Sequence, residues 1–520
     1  MQKDSIKSYV KIIGAIIIIL IYSIYIFRIF SGVPIDSDFA NLVLEADDIV
    51  NNHNFFLNGW NQTGISFLTT DLLYFMIGVM IKGVSVHAYI IAVSLMTIML
   101  MLTAMLLLKI DAKYSWKNIV MFIGMAGFPC AFQLATLRAH TGVYIWLFIL
   151  IFSASKLLDE QENKSKIYYI IMFVSIFFGC IGDALMLITG FFAIISVCIY
   201  DIIILNRRKI CNNLAIIGTS IGAFLASVIF DKLYYIIGNA NKNSFLGAKQ
   251  FETFDNYINK TILYFKSIFM LSDADFGGQP IVQLKTVFYF MHSLIVIIGL
   301  VLVIYNIFLF MLNKKYDSIA TLLSIGFFIL SVIFIITNIS VDVNSSRYMG
   351  YTPLVFAILI IRFISTRNIM DLSIGKTSIK WGSIFVIIIL INAISAVKIG
   401  TKYDVPTTEQ SELSEFLESK GLTNGYASFW SASAVTVYSG GNVSIRAIID
   451  TDNGMSKFNW FCKDEWYTEE NNFIVVREPD FADFGITTEN IIDEYGEPED
   501  TLEFLNYKIL LYDSISIQIN

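Results

Sequence analysis

The sequence predicts an α-helical, polytopic membrane domain followed by a small α/β domain outside the membrane. Three observations carry this reading. The 520 residues are 56% hydrophobic and only 15% charged, against roughly 25% charged in soluble domains, and mean hydropathy is +0.66. Apolar runs close to the ~20 residues that cross a bilayer recur along residues 12–398. From residue 399 the composition turns polar and acidic. The chain therefore divides into a membrane domain, 1–398, and a domain of residues 399–520.

About eleven crossings are expected: 12–30, 86–108, 118–137, 142–158, 167–182, 184–206, 212–231, 286–311, 318–338, 350–364 and 381–398. The first is too long, and too poorly followed by a cleavage site, to be a removed signal peptide. Residues 69–108 are too long for one crossing. A helix lying along the membrane at about 69–82, then a single span, keeps the charge pattern intact. With the N-terminus in the cytoplasm, the inner segments hold eighteen Lys and Arg residues and the outer segments nine, and residues 31–68 hold none. That asymmetry follows the positive-inside rule and puts residues 399–520 outside.

Net charge is -7, which argues against nucleic acid as a partner because phosphate needs a basic face. Five cysteines without a C-x-x-C pair suggest neither a disulfide framework nor a structural zinc site.

Ionisable groups next to a membrane core are costly and therefore informative. Here they gather at the outer span ends: Arg28, Arg138, His140, Asp183, Asp231, Lys232, Asp342 and Arg347. A proton or ion route would spread them through the thickness instead. The loop 31–68 reads PIDSDFANLVLEADDIV from Pro34, with Phe39, Leu42, Val43, Ala46, Ile49 and Val50 on one helical face. This predicts an amphipathic helix lying on the bilayer, with Asn41, Glu45 and Asp48 on its polar side and Asp47 and Asp48 solvated. Asp36 and Asp38 stand at its start. Either could cap the helix, or act as general base on an acceptor hydroxyl. Asp183 interrupts a continuous apolar run. Arg138, His140, Arg347 and Tyr348 are candidates for substrate contacts, an Arg being suited to a lipid phosphate. The plain alternatives are an interfacial anchor for Arg347 and a satisfied helix-end histidine for His140.

In the order of these features the chain resembles the GT-C glycosyltransferases, closest to family 39 and the bacterial arabinosyl- or mannosyltransferase-like members that use polyprenyl-phosphate sugars. The likeness covers residues 10–400 in architecture. At motif level it rests on PIDSDFANLVLEADDI, on Asp183 in GCIGDAL and on Arg347-Tyr348 in SSRYMG. It implies that Asp36 or Asp38 is the catalytic base, that Asp183 is a second outer-loop acid, and that Arg347-Tyr348 meets the lipid phosphate. It also implies a polyprenyl-phosphate sugar donor, a glycan, lipid or protein acceptor, and a bacterial plasma-membrane location. Two departures stand out. The first loop carries Asp-Ser-Asp where many members have Asp-Glu, and the tail lacks the W-W-D motif of oligosaccharyltransferases. A D-x-D pair can hold a divalent cation with phosphate, but no metal and no cofactor is expected for donors of this type.

In the tail, Ser411–Leu422 reads as a helix ending at Gly421, and GYASFW, AVTVYS, VSIRAIID, FIVVRE and NYKILLYD read as strands. Trp430 is the aromatic singled out as a sugar platform. The competing functions are a polysaccharide polymerase or ligase, which would place its chemistry in residues 237–285, and a glycolipid flippase or transporter.

Overall fold

The computed structural model describes residues 19–108, 115–159, 166–205, 210–242, 250–312, 316–367, 373–374, 377–378 and 405–517. Among these, six helices are long and apolar enough to cross a membrane: Val86–Met105, Thr141–Leu158, Leu187–Ile204, Ile210–Gly238, Leu284–Met311 and Ser318–Ile336. Val343–Met349 and Thr352–Thr366 meet at 46° and would add a seventh if counted as one span. Ile19–Ser31, Leu72–Lys82 and Lys166–Gly182 are apolar but shorter.

This differs from the expected eleven. The span at 118–137 is broken into Ser115–Ala126 and Ala131–Thr136. Pro129 disfavours helix at Phe128, and Cys130 restarts the chain by accepting from the Gln133 amide at 3.4 Å. The span at 381–398 lies outside the described residues, as does the start of 12–30.

Leu72–Lys82 is the short helix expected at 69–82. It stops at Gly83, whose φ of 62° suits glycine, and Ser85 then caps Val86–Met105. The two helices touch at Gly78, where a Cβ would lie 2.2 Å from the Ala88 carbonyl oxygen. Leu73, Ile77, Met80 and Ile81 stay exposed, an apolar stripe at helical spacing.

The helix of the first loop forms over Ser37–Val50, but its polar side is not solvated. Asn41, Glu45 and Asp48 are all buried. Asn41 accepts from the Ser433 hydroxyl at 2.7 Å, and Asp48 accepts from the Trp60 indole at 2.7 Å and from Lys463 at 3.1 Å. The helix is thus sandwiched between the membrane helices and the C-terminal region rather than laid on the bilayer. Asp47 is half-buried.

The C-terminal region is α/β. Its six-stranded sheet runs in the order Asp500–Phe504, Tyr507–Ile515, Asn471–Arg477, Asn424–Ala427, Ser444–Thr451, Gly454–Lys457. Asn424–Ala427 is parallel to both its neighbours. The expected helix occupies Glu409–Ser419, with a Thr408–Ser411 capping box. AVTVYS is not a strand. It completes the helix Phe429–Tyr438, eight of whose ten residues are buried, so packing on both sides overrides the β-propensity of its Val and Thr. A second sheet ties the regions together: Trp60–Gln62 pairs in parallel with Asn241–Lys242 and antiparallel with Cys462–Lys463.

Candidate active site

The first loop brings residues 60–71 down between two helix ends. The Phe67 amide donates to the Gly182 carbonyl at 3.1 Å, Ser66 to the Ile181 carbonyl at 2.9 Å, and the Trp146 indole to the Thr69 carbonyl at 2.9 Å. Two glycines make room. A Cβ on Gly142 would lie 2.5 Å from the Thr70 carbonyl carbon, and one on Gly182 2.5 Å from the Thr70 methyl. Asp71, fully buried, then caps Thr141–Leu158 by accepting the backbone N–H of His140 at 2.7 Å and of Gly142 at 2.5 Å. A carboxylate at that end is favoured by the helix dipole, and it fixes His140 in a left-handed conformation, φ 60°.

The His140 ring lies between Phe67 and Tyr348, with centroids 5.4 and 4.9 Å away. Its Nδ1 is 2.5 Å from Asp183 Oδ2. The other Asp183 oxygen accepts from the Leu185 amide at 2.9 Å. Both side chains are almost wholly buried.

Arg347 rides on the 3-10 turn Val343–Met349, which is closed by an Asp342–Ser345 capping box and tied to the bundle by the Tyr144 hydroxyl donating to the Tyr348 carbonyl. The Arg347 Nε is buried without an acceptor, and its guanidinium stands 5.5 Å from the Tyr348 ring centre.

Asp36 and Asp38 separate clearly. Asp36 is the N-cap residue, accepting from the Phe39 amide at 3.4 Å and pairing with Arg138 at 3.1 Å. Arg138 also donates to the Pro34 carbonyl at 3.0 Å and covers the Phe39 ring at 4.3 Å. These two residues anchor the start of the helix. Asp38 instead lines a cavity of about 520 Å³ together with His140, Glu252, Lys260, Arg347 and Tyr348. Burial, reinforced by the Asp36 charge, pushes the Asp38 carboxyl up to about 6, against the pull of Arg347 and Arg138.

The cavity is wider in origin than the sequence suggested. Lys260, on Tyr257–Leu271, pairs with Glu252 at 3.2 Å and donates to the Ser340 carbonyl. The C-terminal region contributes Trp460 and Phe461. Trp430 does not reach the cavity lining; it lies part-exposed in the first turn of its helix. An apolar chamber of about 280 Å³ adjoins, sharing Ile65, Ile339 and Tyr348 and extending past Asp183, Ile188 and Ile333 to the exposed ring of Phe251. Asp183 therefore backs His140 from this second chamber rather than lining the first.

Asp71, Lys260, Glu252 and Trp460 were not singled out from the sequence. Asp71 had the same signal as Asp183, an acid inside an apolar stretch. Lys260 and Trp460 had none. Among the described residues no group of three or more His, Cys, Asp or Glu is arranged to hold a metal ion. No protein-family model matches the chain, and a search of curated proteins returns no match.

Proposed function

We propose that the protein is an integral membrane glycosyltransferase that moves a sugar from a polyprenyl-phosphate donor to a glycan, lipid or protein acceptor at the outer membrane surface. The observation that carries this reading is the pairing, in one cavity beside an apolar chamber, of the Asp38 carboxyl with an Arg347 whose buried Nε lacks an acceptor. Asp38 takes the proton of the acceptor hydroxyl. The hydroxyl oxygen attacks the anomeric carbon, and the bond from that carbon to the phosphate oxygen breaks. Polyprenyl phosphate leaves with the electron pair, and Arg347 faces its charge. A carboxyl near 6 is ionised at neutral pH yet still basic enough to act. His140, held by Asp183, is placed to hydrogen-bond the sugar. The apolar chamber suits the first isoprene units.

The polymerase or ligase reading expects chemistry in residues 237–285. That segment supplies Glu252, Asn256 and Lys260 to the same cavity, so donor class decides between the two. Purified protein in lipid nanodiscs is offered synthetic polyprenyl-monophosphate hexoses and pentoses, or polyprenyl-diphosphate oligosaccharides, with a cell-envelope extract as acceptor. Transfer from a monophosphate sugar is expected. Transfer from the diphosphate oligosaccharides alone would overturn the reading.

The same proposal places the N-terminus inside and residues 405–517 outside. A Ser419→Cys variant, at an exposed position, should react with an impermeant maleimide in intact cells. Reaction only after permeabilisation would contradict this topology.

A further inference from the structure

A second cavity, about 230 Å³, lies where the loop helix Ser37–Val50 meets the C-terminal region. Asp47 and Asp48 enter it from the helix, Asn52 from the turn that follows, and Arg446, Lys463 and Trp466 from the C-terminal side. Asp38 and Asp48 are ten residues apart on the same helix, so this cavity stands about 15 Å along the helix axis from the Asp38 carboxyl.

Its chemistry is mixed in sign and rich in both donors and acceptors. Lys463 is already neutralised, by Asp48 at 3.1 Å and Glu465 at 2.5 Å. Arg446 is not. It is about nine-tenths buried, its guanidinium lies 4.3 Å from the Trp466 ring centre, and its Nε has no acceptor. A buried donor left open in this way is costly, and a ligand oxygen would satisfy it. Trp466 packs edge-on against the fully buried Trp60 at 4.9 Å, so the accessible indole bordering the cleft is Trp466, one face of it covered by Arg446. Three nearby carboxylates, Asp47, Asp48 and Glu465, oppose an anion. A neutral polyol fits better: each hydroxyl both donates and accepts, so it can serve a carboxylate and Arg446 together.

We infer that this cleft is a second saccharide-binding site, taking a neutral sugar unit held by Arg446, Asp47 and Asn52 beside Trp466. Its use, to hold the body of a glycan acceptor away from the reacting end, rests on the transferase reading; the binding itself does not.

The test is a tryptophan-fluorescence titration of the full chain in nanodiscs with methyl glycosides of glucose, galactose, mannose, N-acetylglucosamine and arabinose, and with inorganic phosphate. At least one glycoside is expected to bind saturably. Affinity should fall at least about tenfold in Arg446→Gln and in Asn52→Ala, the latter an exposed position whose amide also donates to Asp48 at 2.8 Å, and should be unchanged in Asp38→Asn. Saturable binding of phosphate alone, of no probe, or of a glycoside with undiminished affinity in Asn52→Ala and in folded Arg446→Gln would overturn the inference. Because Asp38→Asn removes the proposed base without touching this cleft, failure of the transferase reading and failure of the binding site are read separately.

Discussion

His140 Nδ1 lies 2.5 Å from Asp183 Oδ2, although the two residues belong to different helix ends 43 positions apart. Asp71 grips the backbone of the same histidine from the other side, so the imidazole is fixed at both its backbone and one ring nitrogen. The rest of the ring faces the cavity that Asp38 and Arg347 share.

Asp183→Asn keeps the size of the side chain and removes its charge. Which ring nitrogen of a histidine carries the proton is set by the partner of the other one, so the variant should fold and bind donor while transfer falls by about 10²-fold, the cost of a misplaced group. Transfer rate and thermal melting, measured on the same preparation, check this. A variant that melts normally and transfers at the full rate would leave the pair a purely structural contact.

Arg347→Lys preserves the positive charge but loses the planar fork, whereas Arg347→Ala loses both. If the residue meets a lipid phosphate, bidentate contact matters, and the apparent KM for a polyprenyl-phosphate sugar should rise about tenfold in the lysine variant and further in the alanine variant. Equal KM in all three proteins would assign Arg347 to anchoring its helix.

The sequence exposes those groups whose cost is local. Asp183 and Arg347 stand out because a charge beside apolar residues needs a partner, and both are found around or behind the cavity. Asp36 and Asp38 could not be told apart from the sequence, since two positions on a helix start differ only in direction: one caps and meets Arg138, the other turns inward. The misreading of Asn41, Glu45 and Asp48 has another cause. Their partners, such as Ser433 and Lys463, come some four hundred residues later, and amphipathic spacing cannot say whether a polar face meets water or a distant polar surface. AVTVYS fails for the same reason, as a strand-like segment that burial makes helical. Trp460 carries no local pattern at all.

Glu45 offers a pH test of the buried loop helix. Its carboxyl is wholly buried, and burial, reinforced by the Asp48 charge, pushes it up to about 8 against the pull of the Gln62 side chain. The folded protein therefore keeps a proton that the unfolded chain loses near 4.3. The resulting stability is fully present below that pH and is lost as pH rises through about 8. The Tm in detergent should fall across this window, and Glu45→Gln should flatten that part of the slope. An unchanged slope in the variant would show that Glu45 is ionised in the folded state.

The most direct measurement compares Asp38→Asn with Asp36→Asn in transfer from a polyprenyl-phosphate sugar. Loss of a general base typically costs about 10²–10⁴-fold in rate, whereas asparagine caps a helix nearly as well as aspartate. Asp38→Asn should therefore lose transfer by that factor, together with the rise of wild-type activity with pH through about 6. Asp36→Asn, which loosens Arg138 and removes one of the charges that raise the Asp38 carboxyl, should retain most of its rate at neutral pH. Full activity in Asp38→Asn, or a loss confined to Asp36→Asn, would contradict the account.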